Sequence, residues 1–322
     1  MTVSNVVNGR IGKMGEATRS AVEREIARLG YRPYTQARNL RRSEQLTIGM
    51  IILDEAPAFL TDPLNTTIVA GLSNYLSQRG YGLMLQGVHP ERFSGAMLLR
   101  AIRTDGICAI LSGSDDLRRH AAERLLDLGQ PVVLFQETLR LRDPNLLVIR
   151  QDDRGGARLL AAAVLAKGAR RLLMLVPDVV WPAMVERTRG VQEAMRVADS
   201  RANLRVVACR ENDFDDIQQV LRRDIETAGR PDAVLAGNDQ IGIAALRLLQ
   251  DQGLNVPDDI MVTGFNALNF RRHTQPMLTT IRSPVYEMGV RGGQELLVKL
   301  EGGRFSGREV ISEVEFVPGG SI

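Results

Sequence analysis

From Leu46 onward, short apolar runs alternate with longer amphipathic stretches at spacings of roughly 25 to 30 residues. The runs are LTIGMIIL (46–53), YGLMLQGV (81–88), GICAIL (106–111), PVVLF (131–135), RLLMLV (171–176), LRVVAC (204–209), DAVLAG (232–237) and IMVTGF (260–265). They are continuously apolar rather than alternating, as strands of a parallel sheet covered on both faces are. Stretches such as VAGLSNYLSQRG and AALRLLQDQG lie between them, carry helical spacing and end at glycine. Eight strands in this rhythm predict an α/β fold of two doubly wound, Rossmann-like lobes. Two later runs, LTTI (278–281) and VISEVEF (310–316), are expected to cross back between the lobes.

The first 45 residues have another texture. Val3, Val6 and Val7 follow the i, i+3, i+4 spacing of a helix. A second helix is expected to start at Thr18, whose hydroxyl suits an N-cap, with Val22, Ile26 and Leu29 as its apolar stripe. Gly30 then ends it and Pro33 blocks its continuation. The segment TQARNLRRSEQ (35–45) lacks Gly and Pro but has only Ala37 and Leu40 to bury, so it predicts a third helix that is marginal alone.

Charge separates the same two regions. Nine Lys/Arg against four Glu give residues 1–45 a net charge of +5, which leaves −2 for the rest of a chain whose total is +3. A basic head on a slightly acidic body implies a polyanion partner; the alternative at this level is a solvated basic helix. No run reaches the ~18 apolar residues of a membrane span, and MTVSNVVNGR lacks the pattern of a secretion signal, so a cytoplasmic protein is expected. Cys108 and Cys209 sit in apolar runs and read as buried thiols; His89, His120 and His273 have no metal-ligand spacing.

Motifs for catalysis are missing where they would be needed. Gly9, Gly12 and Gly15 have the spacing of a dinucleotide loop, but a helical pattern precedes them where that loop requires a strand. There is no GxxxxGK[ST] and no GxSxG. Asp152-Asp153 and Asp213, Asp215 and Asp216 read as helix caps or solvated faces rather than acid–base machinery. No cofactor, metal or catalytic residue is therefore expected.

The segment AGNDQIGIAALRLLQDQGLNVPDDIMVTGFNALNFRRHTQPMLTTIRSPVYEMG (236–289) resembles the LacI/GalR family of bacterial regulators in the order and spacing of its motifs. TDGI (104–107), PVV (131–133), DDRGGARLLA (152–161) and Arg187-x-x-Gly190 extend the resemblance, as do TVSNVVNGR, ATRSAVEREIARLGYRP and ARNLRRS in the head. It implies a periplasmic-binding-protein-like sensor of two lobes joined by three crossovers, carrying a helix-turn-helix head on a hinge. The implied partners are a near-palindromic operator, a second copy of the chain, and a small effector between the lobes, a sugar or sugar derivative.

The resemblance also assigns residues. Thr2, Ser4, Asn5 and Asn8 fall on the recognition helix, Tyr31 beyond it, and Ala37 and Leu40 on the hinge, where the leucine would wedge into the minor groove. Arg38, Arg41 and Arg42 favour phosphate contact. On the effector side stand Arg187, Asn238, Asn266, Asp152 and Trp181, the last as an apolar wall for a sugar face or as ordinary packing. Asn266 stands where the family usually has Asp, which retains a polyol but weakens the hold on a ligand amine.

The implied boundaries are a head at 1–34, a hinge at 35–45, one lobe from 46–148 with 279–308, and the other from 149–278 with 309–322. The family's head begins with a further helix, so Met1 is expected to be an internal methionine of a longer protein. As it stands Val3, Val6 and Val7 lack the helix that covers them. Two rival readings are a cytosolic sensor without DNA binding and a Rossmann-type enzyme, the second opposed by the missing phosphate loop.

Overall fold

The computed structural model describes residues 2–7, 14–30, 45–55, 59–198 and 201–322. The chain divides into two compact units, Met1–Gln45 and Leu46–Ile322. The expected hinge helix over 35–45 lies outside the described residues, Gln45 excepted.

In the first unit α1 (Thr2–Val7) and α2 (Glu16–Arg28) are in contact. Helix α2 starts two residues before the expected Thr18, and Gly15 at its N-cap offers no side-chain hydrogen bond. Three glutamates support it instead: Glu16 faces the helix dipole, and Glu23 and Glu25 pair with Arg19 and Arg28. Gly30 ends it at φ +57°, as expected. No residue of α2 is buried, and Val3 and Leu29 are exposed.

The second unit begins β1 (Thr47–Leu53), α3 (Pro63–Ser77), β2 (Gly82–Val88), α4 (Met97–Arg100), β3 (Gly106–Leu111), α5 (Asp115–Leu126), β4 (Val132–Phe135) and β5 (Leu146–Gln151). It continues α6 (Asp153–Ala166), β6 (Arg171–Pro177), α7 (Pro182–Val197), β7 (Asn203–Cys209), α8 (Phe214–Ala228), β8 (Ala233–Ala236), α9 (Asp239–Asp251) and β9 (Met261–Thr263). Last come β10 (Thr280–Arg282), α10 (Val285–Leu300), β11 (Glu309–Ser312) and β12 (Glu315–Val317).

Two parallel sheets result, in the order β11-β5-β4-β3-β1-β2 and β7-β6-β8-β9. Each strand order reverses beside the strand that starts its lobe, between β1 and β3 and between β6 and β8. Open sheets of this kind leave a crevice at the carboxyl ends of the strands there.

Both sheets are buried on both faces, as their continuous apolar runs require. Ile48, Met50 and Ile52 pack under α3 and α10, and Ile51 and Leu53 under α5. Leu173 and Leu175 pack under α8 and α9, and Leu172 and Met174 under α6 and α7. Gly190 lets α7 lie directly on α6, because a Cβ there would collide with the backbone oxygen of Arg154.

The lobes are joined by three crossings: β5 into α6, β10 into α10, and β11 into β12. Strands β10 and β12 pair antiparallel with Thr280 opposite Val317. Two expectations change here. The boundary at 148/149 falls within β5, which belongs to the first sheet. The run 310–316 is two strands, of which β11 joins the first sheet, so 309–312 does not belong with the second lobe as expected. Among the described residues no helix is long and apolar enough to cross a membrane. Both cysteines are buried free thiols, and burial pushes Cys209 up to about 12.

Candidate functional site

A cavity lies beyond the carboxyl ends of strands from both sheets. The first lobe contributes Asp62 and Asn65 at the start of α3, Ile110 and Leu111 at the end of β3, and Gln136 just past β4. The second contributes Trp181 and Met184 at the start of α7, Arg187 one turn on, and Glu211, Asn238 and Asn266 beyond β7, β8 and β9. Parallel strands point their carboxyl ends one way, so residues far apart in sequence meet at one rim.

Local chemistry fixes each group. Asp62 caps α3, accepting from Leu64 N at 2.8 Å, with Pro63 after it as the first helical residue. Asn238 caps α9 through Oδ1, accepting from Ile241 N at 2.9 Å, which leaves Nδ2 to donate to Glu211 Oε2 at 2.6 Å. Trp181 donates its indole N–H to Glu211 Oε1 at 3.1 Å. Glu211 therefore ties the starts of α7 and α9 together across the rim.

Arg187 is buried. Its Nε donates to Asp153 Oδ1 at 2.9 Å, its Nη2 reaches the same oxygen at 2.8 Å, and its Nη1 donates to the Gly237 carbonyl. The guanidinium stacks on Phe265, 3.6 Å from the ring centroid. Gln151 Nε2 also donates to Asp153 Oδ1, at 3.0 Å. Burial pushes the Asp153 carboxyl upward and Arg187 pulls it back toward the ionised form. Three of the five guanidinium N–H groups are engaged by protein, so the fork expected to face a ligand is held from behind.

Two lining residues have left-handed backbones, Gln136 at φ +57° and Asn266 at φ +99°. Such strain, about 1–3 kcal/mol each, persists where the surroundings over-determine it. Asn266 accepts from Ser283 Oγ at 3.1 Å, and Gln136 accepts from Gln151 N at 3.1 Å. Gln136 Nε2 and Asn65 Oδ1 are buried without a partner among the described residues.

Two carboxyls are perturbed at this rim. Burial pushes Asp62 up to about 6, and the negative charge of Asp54 adds to it. Burial pushes Glu211 up to about 7, with Asp62 and Asp54 acting the same way against the Trp181 and Asn238 hydrogen bonds. Behind the rim, buried Asp239, raised by burial to about 6, accepts from Thr280 Oγ1 at 2.6 Å and Leu268 N at 2.5 Å. It locks a lobe crossing to α9.

Of the expected effector residues, Arg187, Asn238, Asn266 and Trp181 come together here. Asp152 does not. It caps α6, accepting from Gly155 N at 2.8 Å, and lines a separate surface depression with Arg154 and Arg158. Its neighbour Asp153 holds Arg187. Asp62, Asn65, Gln136 and Glu211 were not expected; their common signal is a position shortly after a strand's carboxyl end or at a helix start. Of the expected DNA residues, Thr2, Ser4 and Asn5 lie on α1, while Asn8, Tyr31, Ala37 and Leu40 lie outside the described residues. Among the described residues no group of three or more His, Cys, Asp or Glu could hold a metal ion.

A family model described as a periplasmic binding protein-like domain matches residues 161–322, half of the chain. The HTH-type transcriptional regulator CelR of Thermobifida fusca is 29% identical over 305 residues, covering 94% of this chain and 88% of that protein. The ribose operon repressor of Bacillus subtilis is 26% identical over 298 residues, covering 92% and 86%. The solved CelR–cellobiose complex has a TM-score of 0.75 at 26% identity, covering 99% of this chain and 94% of that one. The lac repressor dimer bound to operator and the anti-inducer ONPF shares the fold, with a TM-score of 0.84 at 22% identity over 99% and 94% of the two chains. The chain belongs to the LacI/GalR family of transcriptional regulators, and its Leu46–Ile322 unit is a periplasmic-binding-protein-like sensor.

Proposed function

We propose that this chain represses transcription by binding a near-palindromic operator as a homodimer, and that a carbohydrate-class effector between the two lobes controls that binding. The observation that carries the reading is the cavity itself. Asp62 and Gln136 face Trp181, Asn238 and Asn266 across a junction of three backbone crossings. A ligand touching both rims has different contacts at different lobe angles, which is what an effector needs to shift a conformational equilibrium. Amides, carboxylates and one tryptophan suit hydroxyl groups and a sugar face. One relative was solved as a complex with cellobiose and others are ribose operon repressors, which supports the same class.

The DNA side rests on the net charge of +5 over residues 1–45 and on the family. In this reading residues 1–34 form the head, with Thr2, Ser4, Asn5, Asn8 and Tyr31 toward DNA, and 35–45 the hinge, with Ala37 and Leu40 at the minor groove. Asp152 is not retained among the effector residues.

The test is a thermal-shift screen of sugars, amino sugars, polyols, sugar acids, sugar phosphates and nucleosides, then gel shifts on DNA flanking the chain's own gene. A ligand at ~100 times its dissociation constant stabilises by about 2.7 kcal/mol. The expected result is a sugar-class ligand that changes operator affinity in the parent chain and not in Asn266→Gly, a replacement suited to a positive φ. A ligand whose effect survives that variant, or one outside the sugar class, overturns the reading.

A further inference from the structure

We infer that the effector is an amine-bearing polyhydroxyl molecule, an amino sugar or aminopolyol, whose ammonium group sits between Asp62 and Glu211. The inference rests on the effector reading above and narrows it to a charge class.

The charge lining the cavity is unbalanced. The charged side chains lining the cavity are Asp62, Glu211 and Arg187. Arg187 is already matched by Asp153, which it contacts through both Nε and Nη2. The balance presented to a ligand is therefore two carboxylates, one from each lobe. Asp54, buried close by, adds to the negative field and raises both. Each carboxylate raises the cost of ionising the other, and burial adds to that cost, so both are held near 6 and 7. A bound cation removes this penalty, whereas a bound carboxylate or phosphate increases it.

The protein does not fill the acceptors. A carboxylate has about four acceptor positions. Among the described residues Glu211 uses one for Trp181 and one for Asn238, and Asp62 uses two for the backbone N–H groups of Leu64 and Asn65. An ammonium supplies three donors in the geometry of a point charge.

A second feature points to a ligand that also carries hydroxyls. Gln136 and Asn65 line the same cavity and are more than nine-tenths buried. One has an unpaired donor, Nε2, and the other an unpaired acceptor, Oδ1. Buried amide groups without partners are rare in folded proteins and costly. A hydroxyl both donates and accepts, so a polyol can satisfy both. Trp181, positioned by its bond to Glu211, supplies an aromatic surface beside the two carboxylates, suited both to a sugar face and to a cation.

The asparagine at 266 was expected to weaken the hold on an amine. In this cavity the negative charge comes instead from Asp62 and Glu211, positions that the family motifs do not mark.

The experiment is calorimetric titration at pH 7.5 of the full chain with glucosamine, galactosamine and mannosamine. Each is compared with its neutral parent sugar, its N-acetyl derivative, the parent's 6-phosphate and its uronic acid. The expected result is an amino sugar that binds at least tenfold more tightly than its neutral parent, with N-acetylation removing the gain and both anionic derivatives not binding. Asp62→Asn keeps the helix cap and removes the charge; it and Glu211→Gln should each lower amino-sugar affinity at least fivefold more than they lower affinity for the neutral parent. Melting curves of both variants establish that they fold. The inference is overturned if no amino sugar binds, if the neutral parent binds equally well, or if an anionic derivative binds more tightly. A neutral sugar that binds at least as tightly as its amine, and is lost in Asn266→Gly, overturns the charge class while leaving the sensor reading standing. An amino sugar that binds but leaves operator affinity unchanged strikes the sensor reading instead.

Discussion

In the first lobe strand order runs β2-β1-β3-β4-β5 and in the second β7-β6-β8-β9, so the two are wound alike outward from the starting strand. Each holds one buried arginine–carboxylate pair near its carboxyl rim. In the first, Arg118 donates to Glu137 at 2.8 Å and to the Gly113 carbonyl at 3.1 Å, and also contacts Asp115. None of these residues lines the cavity. In the second, Arg187 does line it while Asp153 holds it from behind. The same device staples loops in one lobe and places a donor at the cavity wall in the other. The difference comes from where each helix carries its arginine. Arg118 lies on the helix after β3, turned into the lobe, and Arg187 on the helix after β6, laid over Phe265 at the rim.

The largest expected effect tests whether the two pairs are equal as structure. Removing one member of a buried pair leaves the other unpaired, at a cost of about 3–5 kcal/mol. Arg118→Ala and Arg187→Ala should both lose stability on that scale in urea unfolding. If Arg118→Ala folds as stably as the parent, the comparison fails, because the first pair would then contribute nothing. Arg187→Ala is accordingly a poor probe of effector contact by itself, since its loss of fold would mimic loss of binding.

Next in size are two glycines that bring helices into contact. A Cβ at Gly71 would collide with the Tyr286 carbonyl of α10, and one at Gly190 with the Arg154 carbonyl of α6. Backbone cannot yield as a flexible side chain can, so Gly71→Ala and Gly190→Ala should each cost about 1–3 kcal/mol, the range of overpacking. Chemical denaturation of the pair checks this. A neutral Gly190→Ala would mean that α6 and α7 can slide apart without cost.

The two glycines also mark how far the sequence could be read. Gly190 belongs to a motif and was singled out; Gly71, in VAGLSNYL, has the same role and no motif to announce it. Strands were legible because burial on both faces leaves a continuous apolar run, and eight of them lie within two residues of the expected ends. The exception was β5, whose run LLVIRQ ends in two polar residues. Its Arg150 pairs with Glu309 and its Gln151 reaches Asp153, so polar groups serve there at a sheet edge and a lobe crossing. VISEVEF read as one strand because sequence does not show a chain changing sheets. At the rim, residues within recognised motifs were legible and Asp62, Asn65, Gln136 and Glu211 were not. Asp62 looks like a helix cap and is one; only the closing of two lobes makes it a lining charge as well.

A smaller effect separates the rims by charge. Asp62 and Glu211 are raised to about 6 and about 7, and Asp239 to about 6, against unfolded values of about 4. Between those limits the folded chain binds more protons than the unfolded one. The contribution to stability is therefore fully present below about pH 4 and is lost as pH rises through 6 to 7. The melting temperature of the ligand-free chain should accordingly carry a component that falls from pH 5 to pH 7.5. Glu211→Gln removes the group with the highest value and should flatten that slope more than Asp62→Asn does. A slope unchanged in both variants would place the titration elsewhere, among Asp239, Asp153 and Glu137, which burial also raises.

The cleanest effect on function belongs to the two left-handed residues. Gln136 and Asn266 stand on opposite rims, at φ +57° and +99°. Glycine takes up either conformation without strain but loses more freedom on folding, two effects of about 1 kcal/mol with opposite sign. Asn266→Gly should therefore melt within a few degrees of the parent, whereas Gln136→Gly also leaves the buried Gln151 N–H without its acceptor, at about 1–3 kcal/mol; each removes one polar group from the cavity. Loss of a hydrogen-bonding partner for a buried ligand hydroxyl is worth about 1.4 kcal/mol, or tenfold in affinity. If both variants lose affinity alike, the ligand is gripped by both lobes and its binding must couple to their angle. If only Asn266→Gly loses affinity, the ligand is held by the second lobe alone, and the first lobe's unpaired Gln136 amide closes on it without selecting it.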